Sequence, residues 1–347
     1  MLVGTGLAGR LGALLEARGL AGPWVVVSSP PVWRLHGATI TEALPGATVI
    51  EVPDGERHKT LHTVHRIYEA LVRAGAERGS TLVAVGGGVI GDMAGFAAAT
   101  FLRGIGLVQV PTTLLAQVDA SIGGKVGVNL TSGKNLVGSF YPPHLVVTDP
   151  AFLATLSRRE FRAGLYEVIK YGMACSRDLF ERLQRDLPEA SSPKRAAAVT
   201  SIVAECCRIK AAIVSEDERE AGLRRVLNFG HTVGHAIETL TGYRRFKHGE
   251  AVGWGMLAAG ILAVDRRLLP RADYASLRAL IMQLGPLPTV ADLSMSQVID
   301  VMQRDKKVAG GRLHFVLPTG VGRAEVVGDV SGAEVSAALA RAGFQAG

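Results

Sequence analysis

Val83-Ala84-Val85-Gly86-Gly87-Gly88-Val89-Ile90-Gly91-Asp92 is the stretch on which the reading of the fold turns. Its first residues complete Thr81 to Val85, a β-rich apolar run short enough for a buried strand. Three glycines follow, and then small residues at helical spacing continue to Phe101. A strand that enters a helix through glycines is one unit of an α/β sheet. Working outward, Trp24 to Ser28, Ala47 to Val52, Leu107 to Val110 and Leu145 to Thr148 read as further strands. Between Thr60 and Ala74, Leu61, Val64, Tyr68 and Leu71 recur at helical spacing, and Gly75 stops the helix. The alternation predicts a mostly parallel sheet covered by helices, a Rossmann-like nucleotide-binding domain over residues 1–150.

The pattern changes after Pro150. Helical spacing dominates Glu160 to Met173, Lys194 to Ser215, Thr232 to Leu240, Glu250 to Asp265 and Ser296 to Arg304. Arg312 to Leu317 and Ala324 to Val327 read as a small hairpin. Residues 151–347 are therefore expected to form a mainly α-helical domain, which also holds the histidines considered below as a metal and substrate site.

Composition narrows the function classes. Of 347 residues, 48% are hydrophobic and 20% charged, a globular balance that allows about two domains. The apolar run Ala251 to Val264 falls short of the roughly 20 residues a membrane span needs. The N-terminus has no basic region ahead of its apolar residues, so an amphipathic opening helix is expected there rather than a signal peptide. Cys175, Cys206 and Cys207 cannot form a disulfide framework, which fits a reducing cytoplasm. The net charge of +7 is scattered, aromatics are 5%, and no nucleic-acid motif accompanies it. Cations recruited to a phosphorylated or carboxylated small substrate account for the excess.

The Gly86–Gly88 turn lets backbone approach a pyrophosphate at a helix N-terminus. It is not the spacing G-x-G-x-x-G, and a tight turn alone would read the same way. Two companions favour a nucleotide. Asp54-Gly-Glu-Arg-His-Lys59 follows the second strand, where acidic groups can hold ribose hydroxyls, and Pro111-Thr112-Thr113 puts two hydroxyls at a strand's carboxyl end. From Gly104 to Thr148 the only charged residues are Asp119, Lys125 and Lys134, each lysine beside glycine. Isolated lysines in apolar, glycine-rich surroundings point to ligand contact, against the plainer reading of loop lysines at turns.

His231 and His235 lie four residues apart on one helical face, a spacing that can chelate a metal or form a buried hydrogen-bonded pair. His248 opens another helix. Glu167 lies in the apolar stretch Gly164 to Tyr171, where an unpartnered carboxylate would be costly. A Glu with two His and an open position matches a catalytic zinc site. Residue chemistry does not choose between His231 and His235 as the second imidazole.

With these motifs in view, the chain resembles the 3-dehydroquinate synthases from about Asp54 to about Val327. The carrying residues are Gly86 to Asp92, Pro111 to Asp119, Gly123 to Lys125 and on to Asn129, and Gly133-Lys134-Asn135. Glu167-Val-Ile-Lys170-Tyr-Gly, Leu223-Arg224, Leu227 to His235 and His248-Gly-Glu-Ala-Val add to them. The resemblance implies metal ligands at Glu167, His231 and His248, with zinc or cobalt bound, and leaves His235 for proton transfer. It implies NAD along Asp54, Glu56 and Lys59, Gly87, Gly88, Val89 and Asp92, Thr112 and Thr113, Lys125, Lys134, and Phe152, Leu153, Ala154 and Thr155. Arg103, Asp119, Asn135, Lys170, Lys210, Arg224, Asn228 and one of Lys306 or Lys307 would line the substrate site. A cytoplasmic homodimer, with the Arg103 segment reaching the partner's site, is implied as well.

Two positions depart from the family pattern. Ser28-Ser29-Pro30-Pro31 stands where an acidic residue and an Asn are usual, and Tyr166 where a small residue is usual. The implied reaction converts 3-deoxy-arabino-heptulosonate 7-phosphate, a sugar-phosphate acid, to 3-dehydroquinate and phosphate. It runs through transient oxidation by NAD, elimination, re-reduction and aldol closure. The rival readings are another sugar-phosphate cyclase, a metal-dependent NAD polyol dehydrogenase, and a basic nucleic-acid-binding protein. The supply of arginine and lysine around the histidines suits a substrate with both phosphate and carboxylate.

Overall fold

The computed structural model describes residues 1–20, 22–190, 196–306 and 314–346. The chain divides into two compact units, Met1–Phe161 with Pro193–Ala211, and Arg162–Ser192 with Ala212–Gly347. The first unit therefore runs past residue 150 and takes in a later helical segment.

In the first unit, β1 (Leu2–Val3), α1 (Leu11–Glu16), β2 (Trp24–Ser28), α2 (Pro30–Ala43), β3 (Thr48–Glu51) and α3 (Leu61–Arg73) come first. β4 (Thr81–Gly86), α4 (Gly88–Thr100), β5 (Gly106–Pro111), β6 (Lys125–Leu130), β7 (Gly133–Phe140) and β8 (Leu145–Thr148) follow. Six strands form one sheet in the order β1-β8-β5-β4-β2-β3, every pairing parallel. β4 and β5 are central and buried on both faces, which is why their sequences are continuous apolar runs rather than alternating ones. Val25, Val27, Leu82, Ala84 and Leu107 pack one core face with Ile67, Leu71 and Met93, and Val26, Val83, Val85 and Val108 pack the other with Leu11, Leu15 and Ile40. Thr60 caps α3 by accepting from the Thr63 amide at 3.3 Å.

The N-terminus differs from the opening helix expected: β1 comes first, paired to β8 through Leu2 and Val147, and α1 is only six residues long. The β6–β7 hairpin has no counterpart in the sequence reading. Gly127 faces Gly138 across it, and a Cβ on Gly127 would lie 3.0 Å from the Gly138 Cα. Strands this glycine-rich lose the alternation by which strands are recognised.

In the second unit, α5 (Arg158–Cys175) begins before the boundary, and α6 (Arg177–Ala190) follows it. α7 (Ala196–Glu216) belongs mainly to the first unit. α8 (His231–Leu240), α9 (His248–Asp265), α10 (Arg271–Gln283), α11 (Met295–Lys306), β9 (Phe315–Gly320), β10 (Arg323–Val327) and α12 (Gly332–Ala342) complete the chain. β9 and β10 form the hairpin expected, antiparallel; Arg312 and Leu313 of the expected strand lie outside the described residues. α9 is buried from Gly249 to Ala263 at nearly every position, so its apolar run is that of a core helix. Among the described residues, no helix is long and apolar enough to cross a membrane.

Candidate active site

The first unit gathers most of the residues expected to meet a nucleotide. α4 starts on Gly87, and its first amides, at Gly88, Val89 and Ile90, have no acceptor within the helix. A Cβ on Gly87 would lie 3.2 Å from Thr113 Cγ2, and one on Gly88 would lie 3.1 Å from Ala120 Cβ. These glycines keep backbone amides open to an approaching phosphate, which fits a pyrophosphate. Thr112 is buried with its amide on the Gly86 carbonyl at 2.9 Å, and Thr113 Oγ1 accepts from the Ala116 amide at 3.2 Å.

Beside this turn, Lys59 Nζ donates to Asp92 Oδ2 and to Asn135 Oδ1, both at 2.5 Å. Burial pushes the Asp92 carboxyl up, against the pull of the Lys59 cation. Asn135 sits at φ 53° in the left-handed region, held by its amide donating to Asn129 Oδ1 at 2.9 Å. Asn129 Nδ2 in turn donates to Glu56 Oε1 at 2.8 Å, and Lys134 Nζ lies 3.7 Å from the same oxygen. Glu56, Lys59, Asp92, Lys134 and Asn135 are thus one cluster. Asp54 is exposed and accepts from the Gly55 amide at 2.6 Å, and Lys125 is exposed at the start of β6. Phe152 and Leu153 are buried in the 3₁₀ turn Pro150–Thr155, while Ala154 and Thr155 are exposed. His36 holds that turn, 3.0 Å from Thr155 Oγ1 and with its ring 4.6 Å from that of Phe152.

Asp119 lies in a π-helical turn, Ala116–Ala120, a geometry frequent at functional sites. Lys210 Nζ, from α7, donates to its Oδ1 at 2.8 Å and to its carbonyl at 2.6 Å. Arg103 is exposed at φ 68°, after Leu102 at φ 51°; two consecutive non-glycine residues there store backbone strain.

In the second unit, three helices are brought together by glycines. A Cβ on Gly249 of α9 would collide with the Ala163 carbonyl of α5, and one on Gly255 would collide with the Gly230 carbonyl ahead of α8. Gly230 itself takes φ 81° as the cap of α8, with Met256 Cγ 2.7 Å from where its Cβ would be. This close approach sets Glu167 of α5, His231 of α8 and His248 of α9 side by side. Glu167 Oε1 lies 3.6 Å from His231 Nε2 and 3.3 Å from His248 Nε2. The other ring nitrogens face acceptors: His231 Nδ1 is 3.2 Å from the Phe229 carbonyl, and His248 Nδ1 is 3.1 Å from Glu238 Oε2. With Nδ1 of both rings turned outward to these acceptors, both Nε2 atoms point inward to Glu167.

Electrostatics mark the same place. Glu167 is fully buried, and Lys170 Nζ, one turn on, is 2.5 Å from its Oε2. Burial lowers His231 to about 3, outweighing the pull of Glu167, so its imidazole is neutral and able to ligate. For His248 burial also lowers, but the Glu238 and Glu167 carboxylates prevail and raise it to about 10. Glu167, His231 and His248 offer ligand atoms within 4.8 Å of one another, as do His235, Glu238 and His248. The donor set of two imidazoles and a carboxylate fits zinc or cobalt. His235 is exposed, its ring 5.3 Å from that of His231.

Nearby in this unit, buried Arg224 donates to the Glu218 carbonyl at 2.5 Å, and Asn228 Nδ2 donates to Glu220 Oε1 at 2.5 Å. Lys307 and the side chain of Lys306 lie outside the described residues. Tyr166 is accommodated by Gly253, whose Cβ would stand 3.1 Å from Tyr166 Cδ1. The sequence reading missed Glu238 and Glu220. Glu238 was findable, because it stands seven residues after His231 and three after His235 on the same helix.

This fold and site define a class: a parallel α/β unit with a glycine turn suited to a nucleotide, and a helical unit with a Glu-His-His cluster able to hold a metal. A solved 2-deoxy-scyllo-inosose synthase complexed with carbaglucose-6-phosphate, NAD+ and Co2+ shares the architecture, with TM-score 0.82 and 31% identity over 94% of each chain. So does 2-epi-5-epi-valiolone synthase from Streptomyces hygroscopicus, solved with NAD+ and Zn2+, with TM-score 0.83 and 29% identity over 92% of this chain and 90% of that one. Residues 49–163 match the family described as 3-dehydroquinate synthase N-terminal, and residues 164–308 its C-terminal counterpart. A 3-dehydroquinate synthase of Gloeobacter violaceus is 50% identical over 319 residues, covering 90% of this chain and 88% of the relative. The chain belongs to the 3-dehydroquinate synthase family.

Proposed function

We propose that the protein is a cytoplasmic, homodimeric 3-dehydroquinate synthase that converts 3-deoxy-arabino-heptulosonate 7-phosphate to 3-dehydroquinate and inorganic phosphate. The observation that carries the reading is the convergence of two inward-facing Nε2 atoms on the buried Glu167 carboxylate. It is supported by kinship with relatives that bear that name.

In this reading the first unit carries NAD, and the second carries the metal and much of the substrate site. Glu167, His231 and His248 hold a zinc or cobalt ion. NAD would lie against the α4 amides, Thr112, Thr113, the Glu56–Lys59–Asp92–Lys134 cluster, Asp54, Lys125 and the Phe152–Thr155 turn. When bound, NAD supplies a hydride acceptor that later returns the hydride, and the metal supplies a Lewis acid for a substrate hydroxyl.

The chain's own residues do the rest. His235 stands exposed beside the metal ligands, where it can take and return the hydroxyl proton as the carbon is oxidised and later reduced. Lys170 keeps a cation beside the Glu167 carboxylate. Arg224 and Asn228 suit the substrate carboxylate, and Lys210 with Asp119, Asn135 and the Arg103 segment suit its polar and phosphate ends. Oxidation acidifies the neighbouring C–H, whose proton is lost as the C–O bond to phosphate breaks; re-reduction, ring opening and aldol closure follow. Every hydride removed is returned, so NAD is regenerated in each cycle.

The dimer is favoured by the strained Leu102–Arg103 turn and by apolar side chains left exposed on Leu102, Leu130, Leu136 and Phe140. The reading is tested by phosphate release from the heptulosonate phosphate compared with glucose 6-phosphate, each with NAD and Zn2+. Release from the acid substrate alone supports it. Release from glucose 6-phosphate alone would instead mark a different cyclase of this architecture.

A further inference from the structure

We propose that Glu238 is a positioning residue for the metal site: its carboxylate holds His248 by Nδ1 and so aims Nε2 at Glu167 and the ion. This rests on the reading of Glu167, His231 and His248 as ligands. Glu238 lies two turns beyond His231 on α8, and its side chain is only 5% exposed. An acid buried to this degree is costly without a donor. Its Oε2 is 3.1 Å from His248 Nδ1, while Glu167 Oε1 is 3.3 Å from Nε2 of the same ring. The imidazole is gripped at opposite edges by two buried carboxylates, one on α8 and one on α5.

That geometry separates the two acids. One ion cannot take Nε2 from His248 and also reach the carboxylate on the Nδ1 edge. Of the two, Glu167 has the buried His231 as its companion, whereas Glu238 would have to recruit the exposed His235. The two ligand histidines are oriented by different means. His231 donates to the carbonyl of Phe229, an acceptor fixed by the turn into α8, and His248 donates to a carboxylate. A carboxylate on the distal nitrogen also makes the ligand imidazole more basic. His248 sits at the first position of α9, where no preceding turn restrains its ring, so the side chain from α8 supplies the restraint.

The test uses the full chain stripped of metal and measures Zn2+ affinity by competition with a chromophoric chelator, with Co2+ absorption as a second readout. The wild type is expected to bind one ion per chain. Glu238→Ala should still saturate at one ion, with affinity lower by roughly 10- to 100-fold and an altered Co2+ spectrum. Glu238→Gln retains an acceptor oxygen and should lose less; it also carries the test should the alanine variant fail to fold, as judged by metal-free melting. Unchanged affinity and spectrum in the variants would overturn the assignment. So would two ions in the wild type falling to one in Glu238→Ala, since Glu238 would then be a ligand. No ion in the wild type would remove the underlying reading as well, whereas one tightly held ion in all variants would remove only the role of Glu238.

Discussion

Lys170 Nζ lies 2.5 Å from Glu167 Oε2 one turn earlier on α5, and the side chains are 1% and 0% exposed. A buried carboxylate left without its cation is strongly destabilising, by ~3–5 kcal/mol. Lys170→Met should therefore lower the melting temperature of the chelator-treated protein, and added Zn2+ should recover much of the loss by taking over Glu167. Thermal unfolding with EDTA and with Zn2+ measures both. Equal losses in the two conditions would separate Lys170 from the metal site.

The two histidines on one face of α8 differ in burial and in what their neighbours do, so their substitutions should differ. His231→Ala removes an inward Nε2 and should lose bound metal. His235→Ala, at an exposed position, should keep the metal and reduce turnover by at least ~100-fold, the scale of general acid–base catalysis. Metal analysis beside kcat on the same preparations decides it. Equal metal loss in both would show that the roles are divided wrongly.

Gly249 is where α9 touches α5. A glycine inside a helix ordinarily gains about 1 kcal/mol on replacement by alanine. Here the added Cβ meets the Ala163 carbonyl, so Gly249→Ala should destabilise instead. It should also separate His248 from Glu167 and weaken Zn2+ binding. A stabilised protein with normal metal affinity would contradict the account of how the helices set the ligands.

Much of this was legible beforehand, for identifiable reasons. β4 and β5 are central strands whose composition alone marks them, and the turn at Gly86–Gly88 announces the helix that follows. The proposed ligands stood out because histidine and glutamate are conspicuous in apolar stretches such as Gly164 to Tyr171. The choice between His231 and His235 came from family resemblance, because their spacing is symmetric and only burial distinguishes them. The β6–β7 hairpin was hidden by its facing glycines. Glu238 is marked only by its spacing from His231 and His235 on α8; its pairing with His248, ten residues away across the turn between two helices, is a relation that spacing within one helix does not express.

The C-terminal helix offers a pH test away from the site. Arg266 donates to both carboxylate oxygens of Glu334, at 2.7 and 3.0 Å, and Ser331 Oγ donates at 2.6 Å. The Arg266 guanidinium first, then the Ser331 hydroxyl and amide, hold Glu334 down at about 2, below its ordinary 4.5. A depressed acid contributes stability that is complete above its unfolded pKa and lost as pH falls through the folded one. The side chain is 36% exposed, so solvent screening limits the effect to about 1 kcal/mol. Glu334→Gln should melt lower than wild type at pH 7, and the gap should close between about pH 4.5 and pH 2. A gap unchanged at pH 2 would mean that the carboxylate charge is not its source.

The central claim is that the chain oxidises its substrate only to reduce it again while expelling phosphate. Its most direct measurement follows phosphate and the 340 nm absorbance of NADH together, in one reaction with heptulosonate phosphate, Zn2+ and NAD held equal to the enzyme. The account predicts many phosphates released per NAD with no accumulation of NADH. Phosphate that stops at one equivalent, or NADH that rises with turnover, would contradict it.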